Sequence, residues 1–215
     1  MPSVALLGAT GLVGGHCLDL LAGDRAFERI VVIARRRFAE AMAPRVEAHI
    51  VDLEHLEEHP DLLAVDQVIC ALGTTIKAVG GSQERFRAVD YGIPLSAATV
   101  AHRQGVRHFL LVSAAGASTT SRFFYNRVKG DLEDALRSLP FRSVTIVRPS
   151  LLLGERRESR FGEQLAKRFG WVLPGRYKPV HARDVARTLV RAAKEDVPGL
   201  HIIESERIRE LASPA

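Results

Sequence analysis

A glycine-rich segment between an apolar strand and an apolar helix constrains this 215-residue chain more than any other feature. The apolar residues 4–7 are followed directly by Gly8-Ala-Thr-Gly11-Leu-Val-Gly14. Gly8 suits a tight turn, Gly11 lets the backbone approach a pyrophosphate, and Gly14 lets the helix pack against the strand. The free N–H groups at the start of the helix then face the phosphates. The pattern predicts a dinucleotide site, and an ordinary glycine-rich turn is the alternative.

Strand-like and helix-like segments alternate along the chain, which is typical of a doubly wound parallel sheet with helices on both faces. Segments 30–33 and 109–112 are wholly apolar, as expected of strands that are covered on both sides. Strands are predicted near residues 3–7, 29–34, 46–51, 67–72, 108–113, 143–148 and 200–204. Helices are predicted near residues 12–22, 82–104, 123–138, 162–170, 181–194 and 205–212.

No linker or internal repeat divides the sequence. We therefore expect residues 1–215 to form a single α/β domain of the Rossmann-like type. Residues 154–180 have little periodicity, and we expect them to be a mobile segment that covers the substrate as a small C-terminal region.

The net charge of +5 raises the question of a nucleic-acid partner. Basic residues are spread along the whole chain, and Arg35-Arg36-Arg37 is the one tight cluster in the sequence. Charge alone supports nucleic-acid binding, which is therefore not favoured.

The two cysteines, Cys17 and Cys70, lie singly within apolar segments. Neither belongs to a Cys-x-x-Cys motif or a Cys/His cluster, so we expect reduced core residues and no metal site. No apolar run approaches the roughly 20 residues that span a bilayer, and the N-terminal stretch lacks the basic region of a signal peptide. These features favour a cytoplasmic protein without a membrane partner.

The end of the second predicted strand bears on which dinucleotide fits. An NAD site usually has an acidic residue about 20 residues after the glycine motif, whereas this chain has Arg35 and Arg36 there. Because a guanidinium binds a 2′-phosphate in bidentate fashion, we expect NADP(H) in preference to NAD(H), with a solvated turn as the alternative. Asp52 follows the third strand and either accepts a hydrogen bond from adenine or caps the next turn.

Ser113, Tyr125 and Lys129 are the catalytic candidates. Tyr125 and Lys129 are four residues apart on one predicted helix face, and Ser113 ends the fifth strand. A free tyrosine has a pKa of about 10, and we expect the Lys129 ammonium to lower it. Tyr125 would then exchange a proton with a carbonyl or alcohol oxygen that Ser113 holds, while the cofactor carries the hydride. A tyrosine–lysine pair on an ordinary helix surface is the alternative.

Small residues after the fourth strand would let a ribose and phosphates pass close to the backbone. The apolar segment after the sixth strand would press on the nicotinamide, although its leucines could equally be core residues. The complete expected set of cofactor-binding residues is Gly8, Thr10, Gly11, Leu12, Val13, Gly14, Arg35, Arg36, Asp52, Leu53, Leu72, Gly73, Thr74, Thr75, Ser113, Tyr125, Lys129, Pro149, Leu151 and Leu152.

Five segments together resemble those of an atypical short-chain dehydrogenase/reductase, and more narrowly of bacterial relatives of the human HIV Tat-interacting oxidoreductase family. They are GATGLVG at 8–14, CALGTT at 70–75, HFLLVSAAGAS at 108–118, YNRVKG at 125–130 and VRPSLLLGERRESR at 147–160. The resemblance implies an NADP(H)-binding Rossmann fold, with Ser113, Tyr125 and Lys129 in the positions of a catalytic triad and Pro149 near the nicotinamide. Classical short-chain dehydrogenases/reductases also use an asparagine on the helix after the fourth strand, and residues 82–104 contain none.

The expected function is that of an NADP(H)-dependent oxidoreductase acting on a small carbonyl, alcohol or quinone. A non-catalytic NADPH-binding redox sensor with a regulatory protein partner is the alternative. A nucleotide-sugar epimerase or dehydratase is less favoured, because the chain after residue 150 is short for a second pocket wall. A homodimer formed through the helices at 82–104 and 123–138 stays open.

Overall fold

The computed structural model describes residues 1–36, 43–153 and 178–212. The strands in these ranges are β1 (Ser3–Leu7), β2 (Arg29–Ala34), β3 (Val46–Ile50), β4 (Gln67–Cys70), β5 (His108–Val112), β6 (Ser143–Arg148), β7 (Leu152–Leu153), β8 (Val180–His181) and β9 (Gly199–Glu204). The helices are α1 (Leu12–Gly23), α2 (Gln83–Arg87), α3 (Ile93–Arg103), α4 (Phe124–Arg137), α5 (Ala182–Glu195) and α6 (Ser205–Ala212). Two short 3-10 turns, Leu53–Glu58 and Pro60–Leu63, join β3 to β4.

Seven strands form one parallel sheet in the order β3-β2-β1-β4-β5-β6-β9. The strand order reverses between β1 and β4, and a doubly wound sheet has its ligand crevice at this switch point, outside the carboxyl ends of the strands. All seven strands that the sequence predicts are present, and the predicted doubly wound α/β fold is confirmed. The strands β7 and β8 pair separately, with Leu152 opposite Val180.

Two hydrophobic layers cover the sheet. Along β1, Val4 and Leu6 pack into the layer that contains α1 and α5, whereas Ala5 and Leu7 pack into the layer that contains α3 and α4. Side chains alternate between the two faces of a strand. Because both faces are covered, the central strands are apolar at consecutive positions, and this accounts for the runs from which the sequence predicts them.

The helix predicted over 82–104 is divided by a wider π turn, Ala88–Gly92, between α2 and α3. Pro94 lies in the first turn of α3 and has no N–H to donate to the carbonyl of residue 90, four residues earlier. The chain widens at this point, and Asp90 lies in the widened turn with no exposed surface. The helix predicted over 162–170 lies outside the described residues. None of the described helices is long and apolar enough to cross a membrane.

A polar cluster around the buried side chain of His108 lies at the amino end of β5, the end opposite the ligand crevice. The Nδ1 atom of His108 is 3.1 Å from Oδ1 of Asp196, and its Nε2 atom is 2.9 Å from Oγ1 of Thr145. Arg142 also binds the Asp196 carboxylate, at 2.9 Å. Burial outweighs the attraction of Asp196 and lowers the pKa of His108 to about 4. His108 is therefore neutral in the folded protein at neutral pH.

This cluster predicts a loss of stability in mild acid. In the unfolded chain His108 takes up a proton near pH 6.5, whereas in the folded chain it does so only near pH 4. Between these values the unfolded state binds more protons, so the free energy of unfolding should fall as the pH falls. Urea unfolding of the wild type and His108→Gln from pH 7.5 to 4 measures the effect. The variant should show a shallower pH dependence, and equal slopes would contradict the account.

Candidate cofactor and active site

The turn between β1 and α1 is tight because two of its residues lack a side chain. Gly8 has φ +90°, and a Cβ atom there would lie 2.6 Å from the carbonyl oxygen of Ala71, which directly follows the neighbouring strand β4. A Cβ atom at Gly14 would lie 2.0 Å from the carbonyl oxygen of Gly8. Gly11 is the N-cap of α1, and the first turn of this helix carries no acidic side chain. The turn is therefore a cradle whose helix end is open to an anion.

A cavity of about 630 Å³ lies next to this turn, at the carboxyl ends of the central strands. Its volume is within the range of small-molecule and cofactor sites. It brings together segments that are far apart in the sequence. The lining comprises Gly11, Leu12, Val13, Ala71, Leu72, Gly73, Thr74, Thr75, Asp90, Val112, Ser113, Ala114, Ala115, Tyr125, Lys129, Pro149, Ser150, Leu151 and Leu152.

The predicted site residues divide into those that line the cavity and those that do not. Thirteen of them line it, including all three catalytic candidates. Those outside the lining belong to the glycine turn, Gly8, Thr10 and Gly14, or to the region after β2 and β3, Arg35, Arg36, Asp52 and Leu53. Six lining residues are absent from the predicted set, and two of them, Asp90 and Ser150, have polar side chains. The predicted covering segment 154–180 lies outside the described residues except for its last three.

The region after β2 and β3 is exposed. Arg35 and Arg36 lie on the surface directly after β2. Asp52 caps the turn Leu53–Glu58 by accepting a hydrogen bond from the Glu54 N–H at 3.0 Å, which is the capping role considered as its alternative. Leu53 is buried in the core, and its side chain packs with the layer that contains α3. A role of these residues toward the adenosine stays a prediction.

The loop after β5 packs directly on α4. A Cβ atom at Gly130 would lie 2.3 Å from the carbonyl carbon of Ser118, so only glycine leaves room for the loop at this helix position. The backbone N–H of Ser118 also donates to the carbonyl of Asn126 at 3.1 Å. These contacts bring the end of β5, with Ser113, against the helix that carries Tyr125 and Lys129.

The Ser113 hydroxyl is engaged in a buried network that the sequence did not reveal. Its Oγ atom donates a hydrogen bond to the carboxylate of Glu133, which is 1% exposed. The guanidinium of Arg148 binds both oxygens of the same carboxylate, with Nε 3.0 Å from Oε1, and reaches Glu204 at 2.8 Å. The Ser113 proton is thus directed to Glu133, and its oxygen is left as an acceptor. Glu133 lies one helical turn beyond Lys129 and on the same helix face, but this spacing does not show that its partner is Ser113.

Lys129 is held by a second buried carboxylate. Its Nζ atom lies 2.7 Å from Oδ1 of Asp90, and both side chains are at most 3% exposed. The other oxygen, Oδ2, accepts a hydrogen bond from the backbone N–H of Thr74 at 2.8 Å. Burial acts to lower the pKa of Lys129, but Asp90 and Tyr125 oppose it and the net pKa is raised. Lys129 is therefore a charged ammonium inside an ion pair.

The expected lowering of the Tyr125 pKa is wrong in its net direction. Burial has the largest effect and raises the pKa of the phenol, Lys129 lowers it, and Asp90 raises it again. The net pKa lies above its ordinary value. The ring packs against Phe86, with centroids 5.4 Å apart. Tyr125 is thus a neutral phenol in the folded protein at neutral pH.

Comparison with known proteins agrees with this geometry. A model of the NAD(P)H-binding family matches residues 8–196. Protein HTATIP2 of Rattus norvegicus is 36% identical over 217 residues, covering 97% of this chain and 88% of the relative. The mitochondrial protein FMP52 of Candida albicans is 36% identical over 207 residues, covering 92% of this chain and 90% of the relative.

A solved structure of UDP-glucose 4-epimerase from Thermotoga maritima shares the fold of this chain. The TM-score is 0.71 at 16% identity, and the match covers 97% of this chain and 80% of the epimerase. At this level of identity the likeness concerns the fold alone.

The expected cytoplasmic location is corrected by these relatives. Three fungal relatives, each 35% or 36% identical to this chain, are named as mitochondrial proteins. Cys17 and Cys70 are unpaired and buried as predicted, and burial raises their pKa values to about 12 and about 11. Buried neutral thiols show that the two side chains belong to the core, and they do not assign a compartment.

The glycine turn predicts a difference between two adjacent positions of α1. Gly14→Ala should lower the free energy of unfolding by at least about 2 kcal/mol, because the new Cβ meets backbone that has to shift. It should also weaken NADPH binding at least about ten-fold, since the start of α1 moves. The matched control is Gly15→Ala, whose Cβ would lie 3.5 Å from the nearest neighbour, the Ala9 oxygen. The control should be neutral or stabilising by up to about 1 kcal/mol.

Thermal or urea unfolding and fluorescence titration with NADPH measure both effects. Equal behaviour of the two variants would show that close packing at Gly14 does not shape the turn.

Proposed function

Because this chain belongs to the NAD(P)H-binding family, we propose that it is an NADP(H)-dependent oxidoreductase of the atypical short-chain dehydrogenase/reductase type. Its substrate is a small carbonyl or quinone, or the corresponding alcohol. The observation that carries this proposal is the meeting of Ser113, Tyr125 and Lys129 in the cavity next to the glycine turn.

The cofactor fits the described residues at several points. The N–H groups at the start of α1 would hold the pyrophosphate in the cradle formed by Gly8 and Gly14. Arg35 would bind the 2′-phosphate, and Pro149 with its apolar neighbours would lie against the nicotinamide. When bound, the nicotinamide gives or takes the hydride. The proton transfer and the orientation of the substrate oxygen are carried out by side chains of this chain.

Tyr125 and Ser113 have complementary roles in this proposal. Tyr125, a neutral phenol, donates its proton to the oxygen of a carbonyl substrate. Ser113 directs its own proton to Glu133, so its oxygen accepts a hydrogen bond from the hydroxyl that forms. Arg148 binds the Glu133 carboxylate and holds it in place, and the serine is thereby held at one orientation.

The described part of the cavity favours a neutral, apolar substrate. Among the described residues, the charged side chains that line the cavity are Asp90 and Lys129. Their opposite charges lie 2.7 Å apart and neutralise each other. The remaining lining there consists of glycine, apolar and hydroxyl-bearing residues. A charged substrate would lose its hydration without gaining a free counter-charge, so an aldehyde, ketone or quinone suits the site better.

Replacement of the tyrosine hydroxyl tests the proposed reaction. Tyr125→Phe should reduce NADPH-dependent turnover of carbonyls and quinones at least about 100-fold, because the proton donor is lost. The dissociation constant for NADPH should change less than about three-fold, since the ring remains. The measurements are NADPH absorbance against a substrate panel and fluorescence titration. Unchanged turnover in the variant would overturn the role of Tyr125. Tight NADPH binding with no turnover in either protein would favour the regulatory alternative.

The arginine after β2 predicts the cofactor preference. Arg35→Ala should weaken NADPH binding about 10- to 100-fold and leave NADH binding nearly unchanged, because a bidentate phosphate contact is lost. Arg36→Ala is the matched control and should have a smaller effect. Titration of each variant with both cofactors measures the ratio. Equal loss of NADPH and NADH affinity would contradict the assignment of Arg35 to the 2′-phosphate.

A further inference from the structure

We propose that Asp90 is a positioning residue of the reaction, which pairs with Lys129 so that Tyr125 stays protonated and the site is set for carbonyl reduction. This inference rests on the proposed oxidoreductase function and deepens it. It assigns a direction of proton transfer, from the protein to the substrate, and a residue that sets this direction.

Asp90 is fixed by two different elements of the site. Its carboxylate reaches α4 through Lys129, 2.7 Å away, and the loop after β4 through the N–H of Thr74, 2.8 Å away. The residue has no exposed surface, and the π turn that carries it follows α2 directly. Thr74 itself lines the cavity. The carboxylate therefore joins the loop that would border the cofactor to the helix that carries the proton donor.

The ion pair with Asp90 weakens the electrostatic effect of Lys129 on the Tyr125 phenol. A single buried ammonium would stabilise a nearby phenolate strongly. With a carboxylate 2.7 Å from it, the ammonium forms a dipole whose effect falls off faster with distance than that of a lone charge. Cys70 is a further titratable group near the pair, and its thiol is neutral because burial raises its pKa to about 11. Burial of the Tyr125 phenol then has the larger effect, and the proton is retained.

A further ion pair, Glu133–Arg148, lies beside the site but does not change the effect of the Asp90–Lys129 pair on Tyr125. Glu133 and Arg148 are paired with each other and hold Ser113. The aromatic residues beside Tyr125, Phe86 and Phe124, carry no charge. Phe86 packs against the rings of both Phe124 and Tyr125. The protonation state of Tyr125 thus depends on the burial of its phenol and on the Asp90–Lys129 pair beside it.

The reaction balances in the direction of reduction. A bound nicotinamide would supply the hydride that forms a C–H bond at the carbonyl carbon while the carbon–oxygen π bond breaks, and it would itself be oxidised. The resulting alkoxide oxygen takes the proton of Tyr125. The Tyr125 phenolate that is left lies near the Lys129 ammonium, and a proton from solvent converts it back to the neutral phenol. Lys129 thereby acts after the transfer, whereas its pairing with Asp90 limits how far it stabilises the phenolate beforehand.

A spectroscopic titration tests this proposal without any turnover. Tyrosinate absorbance is followed with pH, and the signal of Tyr125 is obtained by subtracting the same titration in the Tyr125→Phe background. Asp90→Asn should lower the midpoint of Tyr125 by at least about one pH unit, because the ammonium is no longer neutralised. The control is Asp131→Asn on α4, the helix that carries Tyr125 and Lys129, since the Asp131 carboxylate pairs with Arg87 at the surface. It should leave the midpoint unchanged. An equal midpoint in the wild type and Asp90→Asn would overturn the proposal.

A double variant covers the case in which Asp90→Asn does not fold. Asp90→Asn combined with Lys129→Met removes both buried charges, so no unpaired ion remains in the core. Its Tyr125 midpoint should lie within about half a pH unit of the wild type, as expected if the pair is electrostatically cancelled. A midpoint raised well above the wild-type value would show that Lys129 still acts as a lone charge, and would contradict the account.

The pH profile of turnover supplies the second readout. In Asp90→Asn the alkaline limb of carbonyl reduction should move to lower pH, and alcohol oxidation at pH 7 should gain relative to reduction. If Tyr125→Phe turned over normally, the proposed role of Tyr125 as proton donor would fail while the titration result would stand. If only the midpoint failed to shift, the proposed function would stand and the role of Asp90 would fall.

Discussion

Close approach of backbone to backbone in the β1–α1 turn is the constraint on which the rest of the site depends. The turn passes beside β4, and side chains at Gly8 or Gly14 would occupy the space of backbone atoms. Since α1 can begin directly at the sheet edge, its amino end points at the crevice between β1 and β4. The residues that follow β4, β5 and β6 then border one cavity, because the carboxyl ends of parallel strands lie along the same edge.

Helix α4 carries the side chains that are proposed to take part in the reaction, and its periodicity brings them to that cavity. Tyr125, Lys129 and Glu133 follow one another at four-residue spacing and so lie along one face of the helix. Each meets a different group: a ring of α2, the carboxylate of Asp90, and the hydroxyl of Ser113. Two buried carboxylates therefore hold the two polar side chains that flank the proton donor. Because each carboxylate also has a cationic partner, neither leaves an uncompensated charge in the core.

The framework could be predicted from the sequence because it depends on local patterns. Apolar runs such as 30–33 show strands that are covered on both faces, and the glycine spacing shows the turn. Asp90 and Glu133 could not be recognised in this way, since their partners Lys129 and Ser113 are 39 and 20 residues distant in the chain. Acidic residues within a helical pattern look like solvated positions until the partner helix or strand is known. The direction of the Tyr125 pKa was wrong because the spacing shows the ammonium alone. It shows neither the burial of the phenol, which has the largest effect, nor the carboxylate of Asp90.

The measurement that tests the central claim most directly is a crystal structure of the NADPH complex. The account predicts that the pyrophosphate lies at the amino end of α1 and that the nicotinamide enters the cavity near Pro149. The ring C4 atom and the Tyr125 hydroxyl oxygen should then be within about 5 Å, close enough for one carbonyl group to reach both. A nicotinamide directed away from Tyr125, or NADPH bound outside this cavity, would contradict the account.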